Sequence, residues 1–306
     1  KANLAWCHFG LGGSQEPGGK SLEDTLAFVR LWDGAEDGRI LASLGPHSPY
    51  MDSPEVLRRF AEAGGALGVG AHLHLSESRQ QMSDSLKRYG MTPVALVDSC
   101  GLFDLPRPAQ AAHCNVLADA DYAILAQKGV GVSHTPKTYQ KLAMEMPPLQ
   151  RMRQQGIRVA FGTDGPASNS DLNFFDVCRQ TGLSQKYLQA DSSAMPVVEL
   201  LKMATQAPAQ AMGFAGSGVL APGRPADLLL VDTHAPHWMP RHNLSAGLVY
   251  SAQPGDVAYT WCAGRLLYSQ GAFITLDYER IRWEAERRAF RMVGRPMSSM
   301  RLTPQE

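Results

Sequence analysis

Short apolar segments alternate with helical segments along the first part of this chain, and this alternation is the feature that most restricts its fold. Helical patterns separate the apolar segments, and one of them opens with Pro54 directly after Ser53. The chain links between strand and helix are short, which predicts a parallel sheet with helices outside it. The predicted strands are residues 2–9, 40–44, 69–75, 110–112, 130–133 and 157–161.

Five of these six strands end in a side chain that can bind a metal or transfer a proton: His47, His74, His113, His134 and Asp164. Side chains at the carboxyl ends of parallel barrel strands converge on one site, however far apart they are in sequence. Histidine nitrogens and one carboxylate suit Zn²⁺ or a similar cation. A single such histidine is an ordinary structural residue, but five in the same position indicate a site.

Three further side chains bear on this interpretation. Glu77 lies three residues after His74 and is placed to act as a general acid or base. His72 shares a strand face with His74 and is an alternative ligand deeper in the strand. Asp164, taken alone, could instead cap the helix that follows it. His8 is predicted to be a core residue.

Composition excludes several classes of protein. The 306-residue chain has net charge zero and no block of Lys or Arg, so neither a nucleic acid nor an anionic membrane surface is an expected partner. No apolar run approaches the roughly 18 residues of a membrane span. The five cysteines are scattered, which predicts free thiols in a cytoplasmic protein. Serine-hydrolase, phosphate-loop and dinucleotide-binding glycine motifs are missing from the sequence.

The motifs around these strand ends resemble the amidohydrolase superfamily, in the branch of cytosine/guanine deaminases, S-adenosylhomocysteine deaminases and triazine chlorohydrolases. The resemblance implies an α/β fold, a (β/α)₈ TIM-type barrel that holds one divalent metal, zinc or alternatively iron. Residues 223–228 resemble the return of such chains to a small β-sandwich. The matching stretches are residues 44–50, 72–77, 112–114, 133–136 and 162–169.

The resemblance also implies roles for individual residues. His74 and Asp164 would be metal ligands. Catalysis would use Asp164 to take a proton from water, Glu77 to carry it to a ring nitrogen of the substrate, and His113 to polarise the tetrahedral centre. Substrate contacts would come from the remaining strand-end histidines, His47 and His134.

Three departures from the family pattern stand out. The first barrel strand of the family carries a His-x-His pair of ligands, and no such pair occurs before Leu44, where His8 stands alone. With six strands instead of eight, we expect the N-terminal strands to be missing from this chain. Asn115-Val116 stands where a second histidine is usual, and Thr138-Tyr139 stands where Ser-Asn is usual. We expect these positions to lie near the pocket and to affect the choice of substrate.

We therefore predict three regions: a hydrolase barrel at 1–215 with strands 3–8, a β-sandwich part at 216–276, and a C-terminal helix and tail at 277–306. The predicted enzyme is a metal-dependent aminohydrolase that deaminates a purine, pyrimidine, pterin or triazine. One alternative is a chlorohydrolase or another C–N hydrolase at the same centre. Another is a non-catalytic binding subunit or fragment. A small heterocyclic substrate is the expected partner, and a homo-oligomer the expected assembly.

Overall fold

The computed structural model describes residues 1–10, 21–214 and 216–296, and in these ranges the six predicted strands are present. Each strand lies within or overlaps the apolar segment that predicts it. The strands are β1 Ala2–His8, β2 Ile40–Pro46, β3 His72–Leu75, β4 Gln110–His113, β5 Gly131–His134 and β6 Arg158–Phe161.

The six strands run parallel and lie side by side in chain order. β1 pairs with β2, and β3 to β6 form a second parallel group. A parallel bridge between Leu44 and Ala71 joins β2 to β3. All six carboxyl ends therefore lie along one edge. The predicted parallel α/β arrangement is confirmed, while the eight-stranded closure and the missing strands stay predictions.

Helices follow the parallel strands, and several begin with a side-chain cap. Ser21 caps the first helix by accepting from the backbone N–H of Asp24, which completes the predicted capping box. One helix predicted over 195–211 is two helices, separated by a non-helical backbone at Thr205. The helical segments are Leu22–Trp32, Ala35–Gly38, Pro54–Leu67, Arg79–Tyr89, Pro93–Ser99, Asp119–Gln127, Pro136–Lys141, Leu149–Gln154, Pro166–Asn169, Phe174–Gln189, Val197–Ala204, Gln206–Ala211, Leu244–Tyr250 and Tyr278–Met292, with short 3₁₀ turns at Pro236–Trp238 and Pro254–Asp256.

The core lies between the parallel strands and these helices. Leu44 and Leu73 from the strands are buried together with Leu57 and Phe60 from the helix Pro54–Leu67. Each such side chain contributes about 1.5–3 kcal/mol by leaving water. This packing fixes the strands and hence the positions of the groups at their ends.

The chain divides into two compact units, residues 1–224 with 234–254, and residues 225–233 with 255–306. The second unit contains an antiparallel sheet of β7 Leu228–Val231, β8 Val257–Cys262, β9 Arg265–Ser269 and β10 Ala272–Phe273. The domain boundaries and the β-sandwich predicted from the sequence stay predictions, and the predicted tail beyond residue 296 lies outside the described residues.

The hairpin predicted around Ala263-Gly264 is confirmed. Cys262 pairs with Arg265 across these two residues, and both turn residues have positive φ, 50° and 78°. That backbone matches the two-residue turn that suits the twist of the flanking strands. All five cysteines lie in the described residues, and Cys7, Cys100, Cys114 and Cys178 are free thiols, as expected. Across the described ranges, no helix combines the length and apolarity needed to cross a bilayer.

Candidate active site

A cavity of about 280 Å³ lies on one face of the parallel strands and reaches their carboxyl ends. Its lining includes His47, His72, His74, His113 and Asp164. The parallel register explains the convergence, because neighbouring strands end at the same level. Four of the five strand-end side chains predicted from the sequence therefore meet at one cavity.

The aromatic rings at this edge form a continuous series from β1 to β4. The ring centroids of Phe9 and His47 are 4.6 Å apart, and those of His47 and His74 are 4.4 Å apart. His74 and His113 follow at 5.3 Å. His47 therefore packs against a ring that follows β1 and a ring on β3, and it also lines the cavity.

His74 is oriented by the backbone next to it. Its Nδ1 lies 3.0 Å from the carbonyl oxygen of His47. Because a carbonyl only accepts hydrogen bonds, Nδ1 carries the proton and Nε2 carries the lone pair. Metal-binding histidines are commonly held in this way by a backbone carbonyl. The predicted ligand thus has the tautomer that a metal requires.

Glu77 approaches His113 and is held by the helix that follows it. Its Oε1 lies 3.6 Å from His113 Nε2. Gln81 donates from Nε2 to Glu77 Oε2 at 3.2 Å and accepts the Glu77 backbone N–H at 2.9 Å. Asn115 donates to the Glu77 carbonyl at 3.2 Å. Glu77 is therefore fixed at both its backbone and its carboxylate.

Asp164 is held by donors on both carboxylate oxygens. Thr138 Oγ1 donates to Oδ2 at 3.0 Å, and the Gly165 backbone N–H donates to Oδ1 at 2.7 Å. Burial raises the pKa of Asp164, but hydrogen bonds from Gly165, Ser168 and Thr138, together with the nearby imidazole of His113, outweigh it and hold the pKa below its usual value. Asp164 is therefore ionised at neutral pH.

His47 and His113 are neutral at neutral pH. Burial, reinforced by nearby His74, lowers the pKa of His47 to about 4. Burial also lowers the pKa of His113, and this outweighs the opposing attraction of Glu77 and Asp164. A neutral imidazole can both donate and accept a hydrogen bond, which suits contacts to an uncharged heterocycle.

The backbone is unusual at the ends of β3, β4 and β6. Ser76, His113, Cys114 and Asp164 all have positive φ, between 48° and 79°. Non-glycine residues seldom adopt this left-handed conformation, which costs on the order of 1–3 kcal/mol and clusters at functional sites. The backbone thus departs from extended strand geometry at three strand ends of the predicted site.

His134 is not among the side chains that line the cavity. Its neighbours Ser133 and Thr135 do line it, so the alternation of the strand turns His134 to the other side. Its ring is fully buried near Tyr139, with a centroid distance of 5.4 Å, and neither ring nitrogen has a hydrogen-bond partner in the described residues. Burial lowers its pKa to about 3. Its predicted substrate contact stays a prediction.

The profile of the amidohydrolase family matches residues 5–267. The chain belongs to the amidohydrolase family. It is 39% identical over 293 residues to a 5-methylthioadenosine/S-adenosylhomocysteine deaminase from Dictyoglomus thermophilum, covering 96% of this chain and 68% of that protein. It is 44% identical over 273 residues to the protein of that name from Moorella thermoacetica, covering 89% of this chain and 63% of the relative. This chain thus spans about two thirds of the length of these relatives.

Solved structures place this amidohydrolase in the same group. An adenosine deaminase from Xanthomonas campestris with bound zinc is 29% identical, with a TM-score of 0.89 over 96% of this chain and 66% of that one. The zinc complex of an atrazine chlorohydrolase from Arthrobacter aurescens is 26% identical, with a TM-score of 0.79 over 86% of this chain and 58% of that one.

Two side chains at the cavity have the chemical type of zinc ligands. His74 Nε2 and the Asp164 carboxylate fit zinc in chemical type, and both residues line the cavity. Zinc sites use three or four protein ligands as a rule. In the described residues, no group of three or more His, Cys, Asp or Glu side chains is arranged to hold a metal. His74 and Asp164 are thus suitable zinc ligands, but tight zinc binding requires at least one further ligand.

Sequence reasoning missed the side chains that hold the two acids. Gln81 follows Glu77 by four residues, a spacing that could have indicated it once a helix was expected there. Thr138 was noticed only as a departure from the family pattern, and its hydroxyl contacts Asp164. His8 is buried, as predicted, but its Nδ1 also lies 2.7 Å from Asp52, a contact that the sequence did not predict.

Proposed function

We propose that this amidohydrolase hydrolyses the exocyclic C–N bond of an aminated N-heterocycle and releases ammonia. The names of its relatives favour an adenine nucleoside as the substrate. The observation that carries the proposal is the placing of Glu77 Oε1 3.6 Å from His113 Nε2, at a cavity that Asp164 also lines. An acid, a neutral imidazole and an ionised carboxylate are the groups that hydrolytic deamination needs.

The proposed reaction adds water to the ring carbon that bears the amino group and then expels that group. Asp164 accepts one proton of the water, and Glu77 delivers a proton to the neighbouring ring nitrogen. The hydroxyl proton of the tetrahedral adduct then reaches the amino group, the C–N bond breaks with its electron pair leaving on nitrogen as ammonia, and the heterocycle retains the oxygen as a carbonyl. The proton that Asp164 accepted restores the one that Glu77 gave up. Proton transfers of this kind contribute about 100- to 10,000-fold each.

The two histidines at the cavity have separate roles in this proposal. His113 stabilises the charge that develops at the tetrahedral carbon, because its ring lies beside Glu77 and lines the cavity. His47 contacts the heterocycle through the edge of its ring. Ser48 Oγ lies 2.9 Å from His47 Nδ1, so Nε2 is the ring nitrogen that can face the substrate.

His74 and Asp164 would hold a divalent metal, zinc in our proposal and iron as the alternative. Such an ion supplies a Lewis acid that lets water lose a proton near neutral pH. Asp164 is ionised and held by two donors, so it can accept that proton. In this proposal, His74 and Asp164 hold the ion, and Asp164 also accepts the proton that the water loses.

The test is ammonia release by the full-length, zinc-supplemented protein. We expect turnover of adenosine, 5-methylthioadenosine or S-adenosylhomocysteine, and little turnover of cytosine or guanine. A chlorotriazine, monitored by chloride release, tests the alternative that the resemblance to the chlorohydrolase raises. Binding of a nucleoside without release of ammonia would favour the alternative of a non-catalytic binding subunit. Absence of any product across the panel would exclude the enzyme.

A cytoplasmic location and a homo-oligomer also belong to the proposal. The free thiols of Cys7, Cys100, Cys114 and Cys178 support a reducing compartment. Light scattering of the full-length protein after gel filtration tests the assembly, and a monomer at micromolar concentration would contradict it.

A further inference from the structure

Thr138 connects two neighbouring strand ends through one hydrogen bond. It lies on the helix Pro136–Lys141, which follows β5, whereas Asp164 follows β6. Its Oγ1 donates to Asp164 Oδ2 at 3.0 Å, and only 1% of Thr138 is exposed. A hydrogen bond to a carboxylate is among the stronger ones in proteins. Thr138 is buried and Asp164 is half-buried, so the contact is partly shielded from competing water.

The other donors to the Asp164 carboxylate are close to it in sequence. Its backbone is left-handed, with φ at 60°, and its other hydrogen bonds come from the Gly165 N–H and from Ser168, one and four residues later. Donors this close in sequence restrain the side chain only locally. Thr138 supplies the restraint from a different element, and each carboxylate oxygen keeps lone-pair capacity for the cavity.

The helix that carries Thr138 is itself anchored on both sides of that residue. Tyr139 is 1% exposed, and its hydroxyl accepts the Thr135 backbone N–H at 3.1 Å. Lys137 forms ion pairs with Asp171 at 2.7 Å and Asp176 at 2.9 Å, in the segment that follows Asp164. Thr138 therefore donates from a fixed position, and its β-branched side chain has little rotational freedom.

We propose that Thr138 is a positioning residue, whose hydroxyl holds the Asp164 carboxylate in the orientation that binds zinc and accepts a proton. The inference rests on the proposed function for the role of Asp164. It also explains one departure from the family pattern, because threonine retains the hydroxyl of the usual serine at this position.

The test compares Thr138→Val, Thr138→Ser and Thr181→Val in the full-length protein. Valine matches threonine in shape but cannot donate, whereas serine can. Thr181 is a matched control: it is fully buried in a helix, and its Oγ1 donates to the Val177 carbonyl at 2.9 Å. Zinc affinity is measured by competition with a chromogenic chelator. kcat and KM are measured for the best nucleoside, and thermal unfolding is followed in the metal-free protein.

We expect Thr138→Val to weaken zinc binding and to lower kcat by about 10- to 100-fold each, with KM nearly unchanged. Thr138→Ser should retain most of the zinc affinity and most of kcat, and Thr181→Val should change neither zinc affinity nor kcat. The two valine variants should unfold at similar temperatures without metal, which separates positioning from a purely structural effect.

Equal zinc affinity and kcat in Thr138→Val and the wild type would overturn the inference, as would a failure of serine to rescue. A wild-type protein that binds no zinc would overturn it as well. If the wild type binds zinc but deaminates nothing, the proposed function fails, and the zinc affinities of the variants still decide whether Thr138 orients Asp164.

Discussion

Glu77 and Asp164 are two acids of the candidate site, but the chain holds them in different ways. Glu77 lies beside the cavity-lining His113 and is restrained by Gln81, four residues later on the following helix. Asp164 lines the cavity and is restrained by Thr138, which lies on the helix that follows another strand, β5. The contact between Glu77 and Gln81 needs only one turn of helix. The contact between Asp164 and Thr138 also requires β5 and β6 to be paired.

This difference matches the two proposed roles. A proton shuttle has to exchange protons with the substrate, and a local side-chain amide restrains it while leaving Oε1 near His113. A metal ligand such as Asp164 must keep a fixed position relative to the other ligands. The hydrogen bond from Thr138 restrains Asp164 relative to the neighbouring strand of the sheet. Four substitutions test this comparison, from the largest expected effect to the smallest.

Asp164→Asn should have the largest effect. Asparagine keeps the shape and can still accept from Thr138, but it loses the charge that binds metal and accepts a proton. We expect kcat to fall by about 10,000-fold, at the upper end of general-base effects, with little change in thermal unfolding of the metal-free protein. Asp191→Asn, at an exposed acid bonded to Ser193, is the control. Retained turnover would contradict the role assigned to Asp164.

Glu77→Gln should slow the chemical step by about 100- to 1,000-fold, because glutamine cannot carry a proton. KM should change little, since the amide can make similar contacts. Steady-state kinetics with the best nucleoside, together with zinc titration, separate this variant from Asp164→Asn, because zinc affinity should be retained here. A normal rate would exclude Glu77 as the shuttle.

Gln81→Leu should lower kcat by about 10-fold, since it removes the donor and the acceptor that restrain Glu77 but leaves the carboxylate in place. Gln80→Leu is the matched control, because Gln80 is exposed and its amide donates to Asp84 instead. Measured kcat values that are equal for the two variants would show that Glu77 needs no local restraint.

Asp33→Asn tests an acid that belongs to the scaffold. Arg107 donates to both Asp33 oxygens, at 2.6 and 2.8 Å, and Ala42 N–H donates at 3.0 Å. Burial raises the pKa of Asp33, but these hydrogen bonds and the Arg107 charge outweigh it and lower the pKa. We expect a loss of about 1 kcal/mol in unfolding free energy at pH 7 and unchanged kcat.

The pH dependence of that loss has a definite sign. Because the folded-state pKa of Asp33 lies below its unfolded value of about 3.9, its stabilisation is present above that pH and disappears as the pH falls through the folded-state pKa. Urea unfolding at pH 7 and near pH 3 should therefore give a smaller difference between Asp33→Asn and the wild type in acid. Asp119→Asn, at an almost fully exposed ion pair, should change little at either pH.

Much of the site followed from the sequence, because parallel strands place their ends on one edge. His47, His74, His113 and Asp164 were predicted from that rule alone and line one cavity. The rule does not say which way a side chain at the end of a strand points. His134 shares the position of the others but lies on the opposite face from the lining residues beside it.

The restraints on the two acids were harder to predict, for different reasons. Gln81 is close in sequence, but a glutamine on a predicted helix is ordinary. Thr138 contacts Asp164 across 26 residues of chain, and nothing local to either residue indicates that contact. The break at Thr205 was missed because the apolar pattern continues on both sides of it.

The positive φ of Asp164 limits which residues the position can hold at all. Besides glycine, aspartate and asparagine tolerate such a backbone best, so glutamate would meet a steric cost as well as a longer reach. In a saturation library at this codon, folded variants should be concentrated in three residue types, of which one carries a charge. Backbone shape and acid chemistry thus select the same side chain independently.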